Sequence, residues 1–173
     1  LTTLQGLEHL EALKVLYIAD NPDLHTLNGL ENLAQIELLH ITNNPLLVSL
    51  DGLQKLVRVI TVNIIGNESL SSLAGLEQVS VMMALHIANN PALLSLTGLE
   101  NLKRTAVLNL IQNTNLSSIA ELESIESVNN RLTILRNSAL PSCEAEALRD
   151  RIGEENIHSG VLIVGNNDMA TCE

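Results

Sequence analysis

Aromatic side chains are nearly absent from this sequence. Of 173 residues none is Phe or Trp and one is Tyr, although 46% are hydrophobic. The apolar content is therefore almost entirely Leu, Ile, Val and Ala, and a core of such similar shapes is typical of stacked identical layers. The scarcity also argues against tight carbohydrate binding, because sugar-stacking platforms and interface hot spots favour Trp and Tyr.

Basic residues are also scarce: 9 Lys and Arg stand against 20 Asp and Glu, which gives a formal net charge of −11. This balance argues against a nucleic-acid partner, because binding a phosphate backbone requires clustered Lys and Arg. It argues equally against adsorption to an anionic membrane surface. The acidic excess predicts a soluble, self-repelling surface. A cationic partner is the alternative interpretation.

Long apolar runs and catalytic motifs are missing as well. No run is long enough to span a bilayer, so we predict no membrane insertion of this segment. There is no Gly-rich phosphate loop, no nucleophile elbow and no paired metal-ligand motif. We therefore predict no catalytic residue, no cofactor and no metal site, and a protein that is not an enzyme. No signal peptide is visible and Leu1 opens in mid-pattern, so we expect a fragment or a mature product.

What the chain does have is a repeat of 23 residues, with one longer repeat near the end. One apolar column consists of Leu4, Leu27, Leu50, Leu73, Leu96 and Ile119. A glycine column consists of Gly6, Gly29, Gly52, Gly75 and Gly98, after which Glu121 breaks the series. Such a period is the signature of a solenoid, and we predict six repeats of 23–24 residues within 1–142.

Two shorter periods alternate within each repeat. Segments such as Leu39-His40-Ile41 alternate apolar and variable residues, as in a short strand with one buried face. Between these segments the apolar residues recur at every third position, which suits 3₁₀ or short helical backbone. The predicted fold class is an α/β solenoid, with a parallel sheet of short strands on one face and compact return segments behind it.

An asparagine column follows the predicted strands, where the chain bends and leaves backbone groups without partners. A buried Asn side chain can bond backbone groups of its own turn and of the next, so we predict a ladder of hydrogen bonds. The predicted rungs are Asn21, Asn44, Asn67, Asn90, Asn113, Asn137 and Asn167.

The segment Leu13-x-x-Leu16-x-Ile18-x-x-Asn21-x-x-Leu24 resembles the leucine-rich repeat signature. With the following Leu27-x-Gly29-Leu30-Glu31-x-Leu33 it also resembles bacterial secreted or cell-surface proteins of the receptor L-domain type. The resemblance extends from residue 1 to about residue 142. It implies a right-handed coil that binds its ligand on the exposed strand face. Two residues depart from the pattern: Thr105 takes an apolar position, and Glu121 takes the glycine position.

The pattern changes near the end, and we predict a C-terminal cap over 143–173. A short amphipathic helix with Ala145, Leu148 and Ile152 on one face is followed by a final strand, Val161–Val164. Repeat arrays need such caps because the last turn would otherwise expose its core. The closing sequence also resembles the end cap of the secreted repeat proteins named above.

The chain's two cysteines fall near equivalent positions of adjacent turns. Cys143 occupies the column of Leu27, and Cys172 lies within one residue of that column one turn later. Equivalent positions of neighbouring turns are close enough for a disulfide. We predict that bridge, with a pair of reduced core thiols as the alternative. A disulfide would place the protein outside the cytoplasm, in an extracellular, cell-surface or periplasmic location.

The outward positions of the strands are the candidate binding face, because solenoids of this kind bind there. One predicted column is polar: Tyr17, His40, Asn63, His86, Asn109 and Thr133. The next becomes apolar through Ile65, Ile111 and Leu135. We interpret these residues as a surface for a protein or peptide partner, or for self-association. The alternative is that they are ordinary β-branched residues that suit a strand.

Two further columns have simple explanations. His40 and His86 are two turns apart, about 10 Å, which is too far to bind one metal ion jointly. We interpret them as solvated surface residues, with a pH-sensitive contact as the alternative. A carboxylate column on the return segments predicts a solvated face, with calcium bridging as the alternative. Its members are Glu8, Glu31, Glu77, Glu100 and Glu123.

The sequence therefore predicts an extracellular recognition module that binds a protein or peptide on its strand face. The alternative is a structural or adhesive spacer that forms a homodimer or larger assembly. It would associate through the strand face or through the N-terminal edge, where Leu1, Leu4 and Leu7 have no preceding cap.

Overall fold

The computed structural model describes residues 1–172, and Glu173, the last residue of the predicted cap, lies outside them. It is a parallel β-sheet solenoid in which seven strands pair in chain order. The strands are β1 (Ala12–Ala19), β2 (Gln35–Thr42), β3 (Arg58–Ile65), β4 (Ala84–Ala88), β5 (Arg104–Ile111), β6 (Ser127–Leu135) and β7 (Val161–Val164). One helix, α1 (Ser142–Ile152), lies between β6 and β7. Within residues 1–172 no helix has both the length and the hydrophobicity that crossing a membrane requires.

The aliphatic columns form one continuous core between the sheet and the return segments. Leu27, Leu50 and Leu73, for example, are completely buried. The spacing of three arises because each return segment is a pair of turns: Leu30 N–H donates to Leu27 O at 3.2 Å, and Leu33 N–H donates to Leu30 O at 2.9 Å. Among the return segments that precede α1, a 3₁₀ helix forms only at Ala120–Ser124. The predicted helical return segments are thus mostly paired turns.

The glycine column lies where successive turns approach most closely. Gly52 has φ of +115°, and a Cβ built there would lie 2.3 Å from the carbonyl oxygen of Leu27. Gly75 and Gly98 meet the preceding turn in the same way. Gly6 has a similar φ of +98°, but nothing lies within 4 Å of its Cβ position. Glycine is therefore required by both backbone conformation and space in the inner turns, and by conformation alone at Gly6.

The two departures from the repeat pattern are compensated locally. Thr105 is buried, and its hydroxyl lies 3.0 Å from Val107 O and 3.2 Å from Met83 O, so its one hydrogen has an acceptor. Glu121 lies in the 3₁₀ helix, and its carboxylate accepts the N–H of Leu96 at 3.1 Å. The side chain thereby supplies the acceptor that a backbone carbonyl provides in the preceding turn.

Each rung of the asparagine ladder connects three turns, as Asn67 illustrates. Its backbone N–H donates to Asn90 Oδ1 at 3.0 Å, and its own Oδ1 accepts the N–H of Asn44 at 3.0 Å. Its Nδ2 donates to Ile41 O in the preceding turn and to Ile65 O in its own turn. All six rungs from Asn21 to Asn137 lie in this ladder and are buried.

The last rung is Asn166, and the sequence prediction of Asn167 is wrong. Asn166 Oδ1 accepts the N–H of Asn137 at 3.0 Å, and its Nδ2 donates to Ile134 O at 2.9 Å. The reason is the strand register: Leu135 pairs with Val164, so the residue two positions beyond Val164 takes the rung. Asn167 instead pairs its backbone with the preceding turn, since its N–H donates to Leu140 O at 2.7 Å.

The corrected register also aligns the two cysteines. Cys143 follows Asn137 by six residues and Cys172 follows Asn166 by six, so both lie in one column. They form a disulfide with a Cα–Cα distance of 6.0 Å across 29 residues. Closing a loop of that length stabilises the fold by about 3–4 kcal/mol on the chain-entropy model.

Helix α1 packs over the last return segment. It buries Ala145, Leu148 and Ile152, the three residues that its sequence places on one face. The guanidinium of Arg151 donates to the carbonyl oxygens of Leu122 and Ile125, both at 2.7 Å, at the end of the 3₁₀ helix. Apolar burial and hydrogen bonding therefore both attach α1 to the repeats.

We predict that Gly52→Ala destabilises the protein more than Gly6→Ala does. Both variants place a side chain at positive φ, which costs about 1–2 kcal/mol. Only Gly52→Ala also places a Cβ against Leu27 O of the preceding turn, which forces the two turns apart. The measurement is the free energy of unfolding in urea for the wild type and both variants. Equal losses would show that the turns are not packed at this contact as the structure has them.

We also predict that Asn67→Ala costs at least about 1–3 kcal/mol, because it leaves the buried N–H of Asn44 without its acceptor and removes the side-chain bonds to Ile41 O and Ile65 O. Asn28→Ala is the control, since Asn28 is exposed and its side chain forms no hydrogen bond within residues 1–172. Urea unfolding should separate the two variants clearly. A loss at Asn67 no larger than at Asn28 would contradict the structural role of the ladder.

Candidate binding face

One face of the parallel sheet is open to solvent, and a line of mostly polar side chains crosses it. Parallel pairing places Tyr17 beside His40, His40 beside Asn63, and so on along the sheet. We call this line the polar row, and it consists of Tyr17, His40, Asn63, His86, Asn109 and Thr133. Tyr17 is 64% exposed, Thr133 is buried, and the four residues between them are half-buried. The accessible part of the row therefore extends from Tyr17 to Asn109.

Contacts between neighbours hold the polar row in a defined arrangement. The rings of Tyr17 and His40 stack in parallel, with centroids 4.4 Å apart. His40 Nε2 lies 2.7 Å from the Thr42 hydroxyl, and His86 Nδ1 lies 2.7 Å from Asn109 Nδ2. Side chains that are fixed before a partner arrives lose less conformational freedom on binding. The row is thus preorganised at both ends.

Asn109 carries the one unsatisfied buried side-chain atom that the structure shows in residues 1–172. Its Oδ1 is buried and has no hydrogen-bond partner. Such an atom costs about 1–3 kcal/mol. Exceptions of this kind in an otherwise satisfied fold concentrate at functional sites. This atom lies at the β5 end of the accessible part of the polar row.

The apolar part of the predicted face is less accessible than its sequence suggests. Ile65, Ile111 and Leu135 are at the ends of their strands and are each half-buried. They are arranged as the register predicts, pairing with Ala88 and Val164 on the neighbouring strands. Apolar side chains that are more exposed on this face, such as Val81 and Met83, lie near the beginnings of the strands.

A groove at the beginning of strands β3 to β6 was missed by the sequence reasoning. We call it the strand-start groove, and it encloses about 760 Å³. Its exposed apolar residues are Val57, Ile60, Val81 and Met83, and Arg58 and Arg104 also line it. The signal in the sequence was a spacing of three, instead of two, between the buried residues Val59 and Val62. That spacing leaves two successive residues, Ile60 and Thr61, facing outward.

The first four members of the carboxylate column each accept the backbone N–H of the glycine two residues earlier, whereas Glu123 makes no such contact within residues 1–172. Glu31 accepts the N–H of Gly29 at 2.8 Å, and Glu77 accepts the N–H of Gly75 at 2.9 Å. The same contact with the Gly6 amide lowers the pKa of Glu8. These side chains cap the turns of the return segments. In the part of the chain that the structure describes, no group of three or more His, Cys, Asp or Glu is placed to hold a metal ion.

Comparison with protein-family models, with curated proteins and with solved structures finds no significant match. Function must therefore be inferred from the strand face itself. That face combines the polar row, which is neutral and preorganised, with the strand-start groove, which is apolar and cationic.

We predict that His86 makes stability depend on pH. Burial lowers its pKa, so the folded state binds a proton less readily than the unfolded state. The stability that this contributes is fully present above the unfolded value, about 6.5, and is lost as pH falls through the lower folded pKa. His86→Asn removes this dependence and places in the row the residue type found at Asn63 and Asn109.

The measurement is urea unfolding at pH 7.5 and at pH 5.0. Wild type should lose more stability between these values than His86→Asn does. His25→Asn, a change at an exposed histidine of a return segment, controls for the loss of one imidazole. Identical losses in wild type and His86→Asn would contradict the prediction.

Proposed function

We propose that this chain is a leucine-rich repeat binding module of the receptor L-domain type that acts outside the cytoplasm. It holds a protein or peptide partner against its strand face and catalyses no reaction. The repeat signature around Asn21 and the parallel solenoid support the repeat class. The disulfide between Cys143 and Cys172 is compatible with an oxidising compartment.

The observation that carries this proposal is the uncovered face of the parallel sheet. Parallel sheets are ordinarily covered by helices on both faces. Here the return segments cover one face, whereas the other presents the polar row across five adjacent strands, a length of about 19 Å. A straight, preorganised row of hydrogen-bonding side chains suits the edge of a protein or an extended peptide.

Self-association is the second candidate function. Leu162 and Val164 on the outermost strand, β7, are exposed, which favours contact between copies at that edge. The half-burial of Ile65, Ile111 and Leu135 gives less support to contact through the middle of the face. Solution mass at several concentrations, with and without Asp at these three positions, distinguishes the two surfaces.

The proposed function is tested by selecting binders from a displayed library of small extracellular domains and random peptides. We expect binders of the wild type to lose at least about tenfold in affinity on Asn63→Arg, because the substitution places a long cation in the centre of the row. Asn28→Arg makes the same change on an exposed return-segment residue and should have no effect. Circular dichroism melting confirms that both variants are folded.

Two results would overturn the proposal. One is a set of binders that Asn63→Arg leaves unaffected. The other is a set that Asn28→Arg weakens as much as Asn63→Arg does, because the binding surface would then lie away from the strand face.

A further inference from the structure

The strand-start groove is an apolar surface in an otherwise strongly acidic protein. Val57, Val81 and Met83 are each at least half exposed, at 53%, 50% and 62%. They lie side by side because β3 and β4 are neighbouring strands. Val81 precedes β4 and pairs with Arg104, the first residue of β5. Contiguous exposed apolar groups with polar residues at their rim mark interaction sites.

Two arginines flank the apolar floor without partners of their own. Arg58 and Arg104 lie on either side of Val81, and neither guanidinium forms a hydrogen bond or an ion pair within residues 1–172. Of the carboxylates nearby, Glu126 lies 4.0 Å from Lys103, and Glu37 is one strand away from Arg58. The formal net charge of the whole chain is −11, so this groove has the opposite sign to the chain as a whole.

We propose that the strand-start groove binds an extended acidic peptide segment in which apolar side chains lie between two carboxylates. Arg58 and Arg104 are two strand spacings apart, about 10 Å. A peptide in the extended polyproline II conformation advances about 3.1 Å per residue with three residues per turn, so side chains three residues apart face the same side about 9 Å apart. The two carboxylates therefore fall three residues apart, and the peptide runs across the strands. The intervening apolar side chains pack on Val81 and Met83.

The composition of the groove favours a peptide over other polyanions. Single-stranded nucleic acids stack their bases on aromatic side chains, and the groove has none. Nucleic-acid binding also requires many phosphate contacts, and the groove has two arginines. A sulfated polysaccharide would leave Val57, Val81 and Met83 without apolar partners. This inference rests on the proposed function, and it names the partner's chemistry.

The probe is a fluorescein-labelled peptide of sequence Gly-Ser-Glu-Leu-Val-Glu-Met-Ser-Gly. Its two Glu are three residues apart and enclose Leu and Val. One control peptide replaces both Glu by Gln, and a second replaces Leu and Val by Ser. Fluorescence anisotropy at low and at physiological salt measures binding to the folded wild type.

We expect Arg58→Gln and Arg104→Gln each to weaken binding about two- to fivefold, and both control peptides to bind more weakly. Gln is the residue that β2 has at the position equivalent to Arg58, so the change suits the fold. Arg136→Gln is the matched control, because Arg136 lies at the other end of the strands. The change suits the fold, because Gln112 occupies the equivalent position of the preceding turn with the same φ of 55°.

The proposal is overturned if the peptide does not bind saturably, if its Gln version binds equally well, or if Arg136→Gln weakens it as much. Displacement of the peptide by a tighter-binding heparin fragment or oligothymidylate would also overturn it. Library binders that need Asn63 but tolerate both arginine changes would leave the proposed function intact and remove this inference. If peptide binding needs both arginines and the library binders are indifferent to Asn63→Arg, the polar row would instead be excluded as the binding surface.

Discussion

The structure depends on one constraint: each turn must place its buried backbone groups within hydrogen-bonding reach of the next turn. The asparagine ladder meets it, because one side chain accepts the N–H of the preceding rung and donates to carbonyls in two turns. A rung can do this only if the turns are stacked in register. Strand pairing, the contact of Gly52 with Leu27 O and the alignment of the outward columns all follow from that register. The alignment of side chains on the open face is therefore tied to the ladder.

The repeated columns made much of this predictable. A residue such as Asn67 or Leu50 is supported by equivalents in several turns, so its burial and its role can be inferred without coordinates. The prediction of the last rung failed because that position has no equivalent at the regular spacing of the repeats. Two adjacent Asn residues follow β7 after a longer insertion, and only the pairing of Leu135 with Val164 identifies Asn166 as the rung. Most return segments form paired turns. The sequence did not distinguish these turns from 3₁₀ helix, because both have a period of three.

The face was partly predictable for the same reason. Strict alternation from Leu39 onward places His40 outward, and the polar row follows from repeating that step. Alternation does not continue toward the beginning of the strand, where Ile60 and Thr61 both face outward. The strand-start groove was therefore outside the period that the sequence reasoning used. The accessibility of Ile65 was overestimated because strand alternation predicts direction and gives no measure of how far neighbours cover a side chain.

The chemistry of the face changes along the strands, and this bears on how a partner can lie. The strand starts carry apolar groups and two arginines without partners, the middle carries neutral hydrogen-bonding groups, and the ends carry half-buried aliphatic groups such as Ile65. A larger partner that covers both ends of the strands and carries the proposed acidic segment at one edge would, if turned through 180°, place carboxylates against the aliphatic ends and leave the arginines unpaired. Such a mismatch is costly because charged groups lose hydration without gaining a partner. On the proposed function, the gradient therefore favours one orientation of such a partner, and the side-chain contacts within the polar row reduce the conformational freedom lost on binding.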